Sequence, residues 1–209
     1  MILGHRGIMS KYPENTLDGF KEARKRGLSI EFDVLLTKDN VVVCCHDENL
    51  FRLTGKNINL SKIPFSKLCN LKIKKEIKYY SKVYKYQKEN KFCSLEEVIE
   101  ELGDIFMNIE IKTYTSYDLE YKKKLCDLVV NIINYRKLKK YILSSFDIEI
   151  VEYLESKGIK CIFICMDYID NNYSKIINVV NYKENQKNIV GAYNVENTNT
   201  NLKYLIKDC

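Results

Sequence analysis

No stretch of this 209-residue chain approaches the roughly 20 consecutive apolar residues needed to cross a bilayer, and 30% of its residues are charged, which argues against a membrane protein. Its eight cysteines include no C-x-x-C pair, so a zinc site is disfavoured. A disulfide framework belongs to shorter secreted chains, and several of these cysteines lie in apolar, strand-like runs. They are read as reduced thiols in a cytoplasmic setting. Met1–Arg6 has no charged segment followed by an apolar run, so no secretory leader is expected. There is no dinucleotide fingerprint, no internal repeat and no low-complexity linker. Histidine is scarce, present only as His5 and His46.

What is there suits one globular domain over residues 1–209, with 45% apolar residues for its core. The net charge of +6 is compatible with anionic partners such as phosphates, nucleic acid or acidic lipid surfaces, but lysine richness often marks only a solvated surface, and nucleic acid is not the expected partner.

Met1–His5 reads as a short buried strand. Pro13–Arg26 reads as a helix, with Pro13 at its start, Leu17, Phe20 and Ala23 on one stripe and Gly27 as its stop. Ser29–Leu35 and Val41–His46 read as strands around a turn at Thr37–Asn40. Residues 47–92 break the rhythm and form a small insertion. Ser94 and Glu97 make a capping box for a helix to about Leu102. Phe106–Lys112 then reads as a strand, and Leu125, Leu128, Val129, Ile132 and Ile133 mark a helix. Tyr141–Ser145 (strand), Ile148–Ser156 (helix) and Ile159–Cys165 (strand) follow. Farther on, Ile176–Val180 and Ile189–Val195 read as strands and Asn199–Lys207 as a last helix. Strands alternating with helices imply a parallel sheet. More than five such units favour a closed β/α barrel, whose chemistry gathers at the C-terminal ends of the strands.

The reactive residues fall at such ends. His5 and His46 each end a strand and precede a turn, and two imidazoles at one mouth can divide acid and base roles. Glu31 and Asp33 alternate with Ile30, Phe32 and Val34, so two carboxylates share one face of an apolar strand. A structural cation or a bound metal ion would each relieve that burial. Glu110 and Lys112 share a strand face in the same way, and alone they would pair with each other. Together with Glu31 and Asp33 they give three hard oxygen ligands that suit Mg²⁺ or Ca²⁺. Arg6 and Lys112 add positive charge for a phosphate. Metal, cations and two histidines describe a site for cleaving phosphodiesters.

At this point Gly4-His5-Arg6-Gly7, Pro13-Glu14-Asn15-Thr16, Glu31-Phe32-Asp33-Val34, His46-Asp47, Arg52-Leu53-Thr54-Gly55 and Asn108-Ile109-Glu110-Ile111-Lys112 can be taken together. In order and spacing they resemble the glycerophosphodiester phosphodiesterase family, and Ser144-Ser145-Phe146 looks like its later serine-phenylalanine motif. The resemblance implies a TIM barrel of the phospholipase C-like phosphodiesterase type with a small cap inserted after the His46 strand. It implies Glu31, Asp33 and Glu110 as metal ligands, His5 and His46 as the acid/base pair, and Arg6 and Lys112 as phosphate-binding cations. Glu14 and Asn15 would brace the mouth, and Asp47 would orient His46 or the metal shell. The implied reaction splits a glycerophosphodiester into glycerol 3-phosphate and an alcohol, with relatives acting on lysophospholipids.

The C-terminal third departs from the family pattern. Ala192-Tyr193-Asn194-Val195-Glu196-Asn197 is the nearest match to its aromatic-threonine-valine-asparagine motif, and the sixth unit, within Met166–Asn188, is compressed. The glycine- and aspartate-rich eighth strand is missing from the reading. The expectation is therefore an incomplete barrel with a gap between its first and last strands, which a homodimer could cover. Alternatives are a lysophospholipase D-like enzyme and a catalytically impaired phosphodiester-binding domain. The basic, tyrosine-bearing stretch Lys72–Lys91 is read as a solvated cap whose tyrosines pack on the rim, in preference to a grip on lipid or single strands.

Overall fold

A computed structural model describes residues 1–79, 81–166, 177–179, 189–193 and 204–209, with side chains described outside 177–204. Tyr80, residues 194–197 of the aromatic motif, residues 199–203 of the expected last helix and most of the compressed sixth unit lie outside the described residues.

The chain opens with β1 (Ile2–His5), α1 (Leu17–Lys25), β2 (Ser29–Leu36) and β3 (Val42–Cys44). The insertion contributes two four-residue helices, α2 (Phe51–Thr54) and α3 (Phe65–Leu68), and a hairpin of β4 (Glu76–Tyr79) and β5 (Lys82–Lys85). Strict alternation resumes with α4 (Leu95–Leu102), β6 (Met107–Ile111), α5 (Leu119–Tyr135), β7 (Tyr141–Ser145), α6 (Ile148–Ser156) and β8 (Cys161–Cys165). Three short strands follow: β9 (Ile177–Val179), β10 (Ile189–Tyr193) and β11 (Tyr204–Lys207).

Side-chain caps fix where these helices begin. Thr16 accepts from the Gly19 amide, so α1 starts at Leu17, and Pro13 sits in the turn ahead of it. Ser94 and Glu97 close the capping box expected from the sequence. Asp118 and Asp147 cap α5 and α6.

Eight parallel strands close in the order β1, β2, β6, β7, β8, β9, β10, β11, because β1 pairs with both β2 and β11. The strand β11 stands where the sequence reading left a gap. Residues 204–207 carry only Leu205 and Ile206 as aliphatic markers, too few to separate a strand from the end of a helix. With Ile2, Leu3 and Gly4 opposite Leu205, Ile206 and Lys207, no open edge remains between first and last strands for a second copy to cover.

Alternation along each strand divides the core. Ile30, Phe32, Val34, Met107, Ile109 and Ile111 face outward against Phe20, Val98, Leu125, Val129 and Val151 of the helices. Inside the barrel, Leu3, Ile162, Ile164 and Ile206 form an apolar floor with Phe106 and Ile142 beside it. The next lumen-facing residues along these strands are polar: His5 follows Leu3, Asn108 follows Phe106, and Ser144 follows Ile142. The insertion has its own apolar centre, in which Leu50, Leu60, Leu68, Ile77 and Tyr86 pack on Leu35, Val43 and Cys45 beside the barrel. Among the described residues no helix is long and apolar enough to cross a membrane.

The turn after β1 leaves no spare room. Arg6 and Gly7 both have positive φ (55° and 92°), and a Cβ on Gly4 would lie 2.8 Å from the Gly7 carbonyl oxygen. Backbone cannot give way as a flexible side chain can. Gly4→Ala should therefore cost about 1–3 kcal/mol of stability, seen as a lower urea midpoint.

Candidate active site

Strand β2 carries Glu31 and Asp33 into the lumen, and its register with β6 sets Asp33 opposite Glu110. Glu31, Asp33 and Glu110 are buried, and one carboxylate oxygen from each lies within 4.8 Å of the others. Desolvation raises the pKa of Glu31 well above the usual carboxylate range, and repulsion from Asp33 and Glu110 adds to it. Burial pushes Asp33 the same way, but Arg6 and Lys112 overcome it and hold this carboxyl well below its ordinary value.

The cations are engaged. Lys112 Nζ lies 2.5 Å from Glu110 Oε1 and 3.4 Å from Asp33 Oδ1, so the pairing open to Glu110 and Lys112 from sequence alone is formed, with Asp33 drawn in. Burial works against the Lys112 ammonium, but these carboxylates raise its pKa. Arg6 Nε is 3.1 Å from Asp33 Oδ2, and Arg6 Nη1 donates to Glu14 Oε1 at 3.2 Å. The left-handed backbone at Arg6 aims its amide at Glu31, where it meets both the carbonyl oxygen (2.8 Å) and Oε2 (3.2 Å). Asn15, also at φ 55°, donates its amide to the Arg6 carbonyl and Nδ2 to Asp33 Oδ2 at 2.9 Å. Asparagine tolerates that conformation better than most residues.

These pairings leave Glu31 Oε1 and Asp33 Oδ1 buried without a hydrogen bond. Buried acceptors of this kind are rare and costly. A divalent cation among the three carboxylates would satisfy both atoms, and an all-oxygen donor set suits Mg²⁺ or Ca²⁺. The acidic cluster thus fits a hard metal ion.

The histidines flank the cluster. His5 Nε2 lies 3.8 Å from Glu31 Oε2, and His5 Nδ1 is 2.6 Å from Asp208 Oδ1. His46 is near enough to Asp33 to help lower its pKa. Its Nδ1 is 2.7 Å from Asp47 Oδ1, and its carbonyl accepts from the Tyr114 hydroxyl. Asp47 also takes Arg52 Nε at 2.6 Å. Burial opposes its ionisation, but bonds from His46 and Arg52 depress its pKa to about 2. Arg52 reaches on to both oxygens of Glu14 at 2.6 and 2.7 Å. The Tyr79 ring lies under both guanidinium groups, 4.8 Å from Arg6 and 5.2 Å from Arg52.

The structure thus brings His5, Arg6, Glu14, Asn15, Glu31, Asp33, His46, Asp47, Glu110 and Lys112 into one connected region. Sequence reasoning missed Arg52, Tyr79, Tyr114 and Asp208. Arg52 stood in a motif without a role, and Tyr79 sat in the basic stretch, where its burial shows that this tyrosine packs inward. Asp208 followed a segment read as helix, so nothing placed it opposite His5.

Known proteins resemble this chain over most of its length. Residues 5–198 match the glycerophosphoryl diester phosphodiesterase family. Human lysophospholipase D GDPD1 is 32% identical over 164 residues, covering 77% of this chain and 50% of that protein. A glycerophosphodiester phosphodiesterase of Caldanaerobacter subterraneus is 33% identical over 155 residues, covering 70% and 58%. The crystal structure of a glycerophosphodiester phosphodiesterase from Thermotoga maritima superposes with a TM-score of 0.70 at 25% identity, covering 99% of this chain and 93% of that one. The chain spans about half the length of the curated relatives it matches. With the match running from His5 through the acidic strands and beyond β10, this chain is a member of the glycerophosphoryl diester phosphodiesterase family.

Proposed function

We propose that the chain hydrolyses glycerophosphodiesters to glycerol 3-phosphate and an alcohol, with help from a divalent cation held by Glu31, Asp33 and Glu110. The observation that carries this reading is the buried carboxylate trio with two oxygens that accept no hydrogen bond, set among Arg6, Lys112 and two imidazoles. When bound, the ion would neutralise charge on the phosphoryl oxygens as a Lewis acid. Arg6 and Lys112 would bind the remaining phosphate charge. One imidazole takes the proton from the attacking hydroxyl as the new O–P bond forms, and the other returns a proton to the alcohol oxygen as its P–O bond breaks. That hydroxyl belongs to water, or to the substrate's own glycerol if a cyclic phosphate forms first.

A lysophospholipid substrate is a second reading. It is favoured by Phe146, 40% exposed beside Lys112, whose ammonium lies 5.2 Å from the ring centroid. It is also favoured by the human relative's name, lysophospholipase D. The impaired-domain alternative drew on an open barrel, and pairing of β1 with β11 removes that ground.

Glycerol 3-phosphate release from glycerophosphocholine should require added Mg²⁺ or Ca²⁺, stop with chelator and disappear in Glu110→Gln. Folded protein that is inactive with every divalent cation, on both glycerophosphocholine and lysophosphatidylcholine, would overturn the proposal.

A further inference from the structure

We infer that Asp208 positions the His5 imidazole for proton transfer, so that the strand closing the barrel also completes the reactive pair. The inference rests on the proposed hydrolytic reading and assigns a role to a residue outside the acidic cluster.

Register makes the contact a consequence of the fold. With Leu3 opposite Ile206 and Gly4 opposite Lys207, the next step along each strand sets His5 beside Asp208. Leu3 and Ile206 both lie in the lumen floor, so two residues on, His5 and Asp208 face the lumen as well. The result is a 2.6 Å contact from His5 Nδ1 to Asp208 Oδ1, across 203 residues of sequence.

A carboxylate accepts and cannot donate, so the hydrogen on a neutral His5 ring is held at Nδ1. The ring's lone pair then lies at Nε2, the nitrogen 3.8 Å from Glu31 Oε2, on the side where substrate phosphate would meet the acidic cluster. His46 is built alike, with Asp47 at its Nδ1. Both imidazoles therefore present Nε2, each with a carboxylate behind it, as an acid/base pair acting on two oxygens of one phosphate requires. An aspartate placed only for stability at an exposed edge would have no reason to select the same ring nitrogen in both cases.

The two-histidine composition makes the test clean. Long-range ¹H–¹⁵N spectra of the full chain, assigned with His46→Asn, should show His5 protonated at Nδ1 in the wild type and shifted toward Nε2–H in Asp208→Asn. With Mg²⁺ and glycerophosphocholine, Asp208→Asn should lower kcat about 100-fold while KM stays within about twofold. Asp208→Glu, which keeps the acceptor, should recover most of the rate, and the melting temperatures should lie close together. An Asp208→Asn protein with wild-type kcat and an unchanged His5 tautomer would overturn the inference. If the wild type itself releases no glycerol 3-phosphate, the hydrolytic reading fails, and the tautomer result alone then decides whether Asp208 fixes the ring.

Discussion

Exchanging Glu31 for glutamine should abolish turnover and, in the same protein, raise the melting temperature of the metal-free chain. Glu31 is fully buried, and its Oε1 has no hydrogen-bond partner. Desolvation first, then Asp33 and Glu110, raise its pKa well above the ordinary value. The native state thus holds this proton more tightly than the unfolded chain does. The associated stability is fully present below the unfolded value of about 4.3 and is lost as pH rises through the folded value. Glutamine removes that slope and places an amide where two carboxylates are acceptors. A gain of about 1–3 kcal/mol at neutral pH is expected. Cation binding needs Glu31 ionised, so it should release a proton and tighten as pH rises. Losing one ligand should lower kcat by about 1,000-fold or more, the several kcal/mol that a Lewis acid supplies. Calorimetry with chelator, paired with the release assay, checks both signs. A glutamine variant less stable than wild type, whose own melting temperature ignores added Mg²⁺ and Ca²⁺, would count against a cation at this cluster.

Replacing Arg6 by methionine should cost about 3–5 kcal/mol, because it strands a buried negative charge rather than deleting an exchangeable surface pair. Arg6 is 4% exposed and lies 3.1 Å from Asp33 and 3.2 Å from Glu14. Glu14 keeps Arg52, whereas Asp33 keeps, among the described residues, Lys112 at 3.4 Å and the weaker influence of His46. Burial opposes the Asp33 charge, and Arg6 is the first of the groups that overcome it. In the wild type the stability tied to Asp33 is present above its unfolded value of about 3.9 and is lost as pH falls through its lower folded value. Without Arg6 the folded value rises and that contribution shrinks. The variant's deficit should therefore be largest at pH 7 and smaller at pH 4, as urea titrations at both would show. An equal deficit at the two would mean that packing on Tyr79, not charge, is what Arg6 provides.

Much of this was legible in sequence because it was written in local patterns. Carboxylates at 31 and 33 inside an apolar strand declared themselves by alternation, and Ser94 with Glu97 fixed a helix start within a single turn. The strand Tyr141–Ser145 and the helix Ile148–Ser156 follow from periodicity alone. What stayed hidden depends on partners far off in sequence. Residues 204–207 are a strand because β1 and β10 flank them, not because four residues show a period. Arg52 and Tyr79 look like surface residues until the insertion folds back over the mouth and buries their faces on Arg6 and Glu14. Local sequence shows which charges need compensation, whereas tertiary topology chooses what compensates them.

The pairing of β1 with β11 also orders events in time. A bond between residues 203 positions apart cannot form until nearly all the intervening polypeptide exists and has been drawn together. During synthesis, then, a nascent chain that has not yet reached Asp208 holds His5 without this carboxylate neighbour.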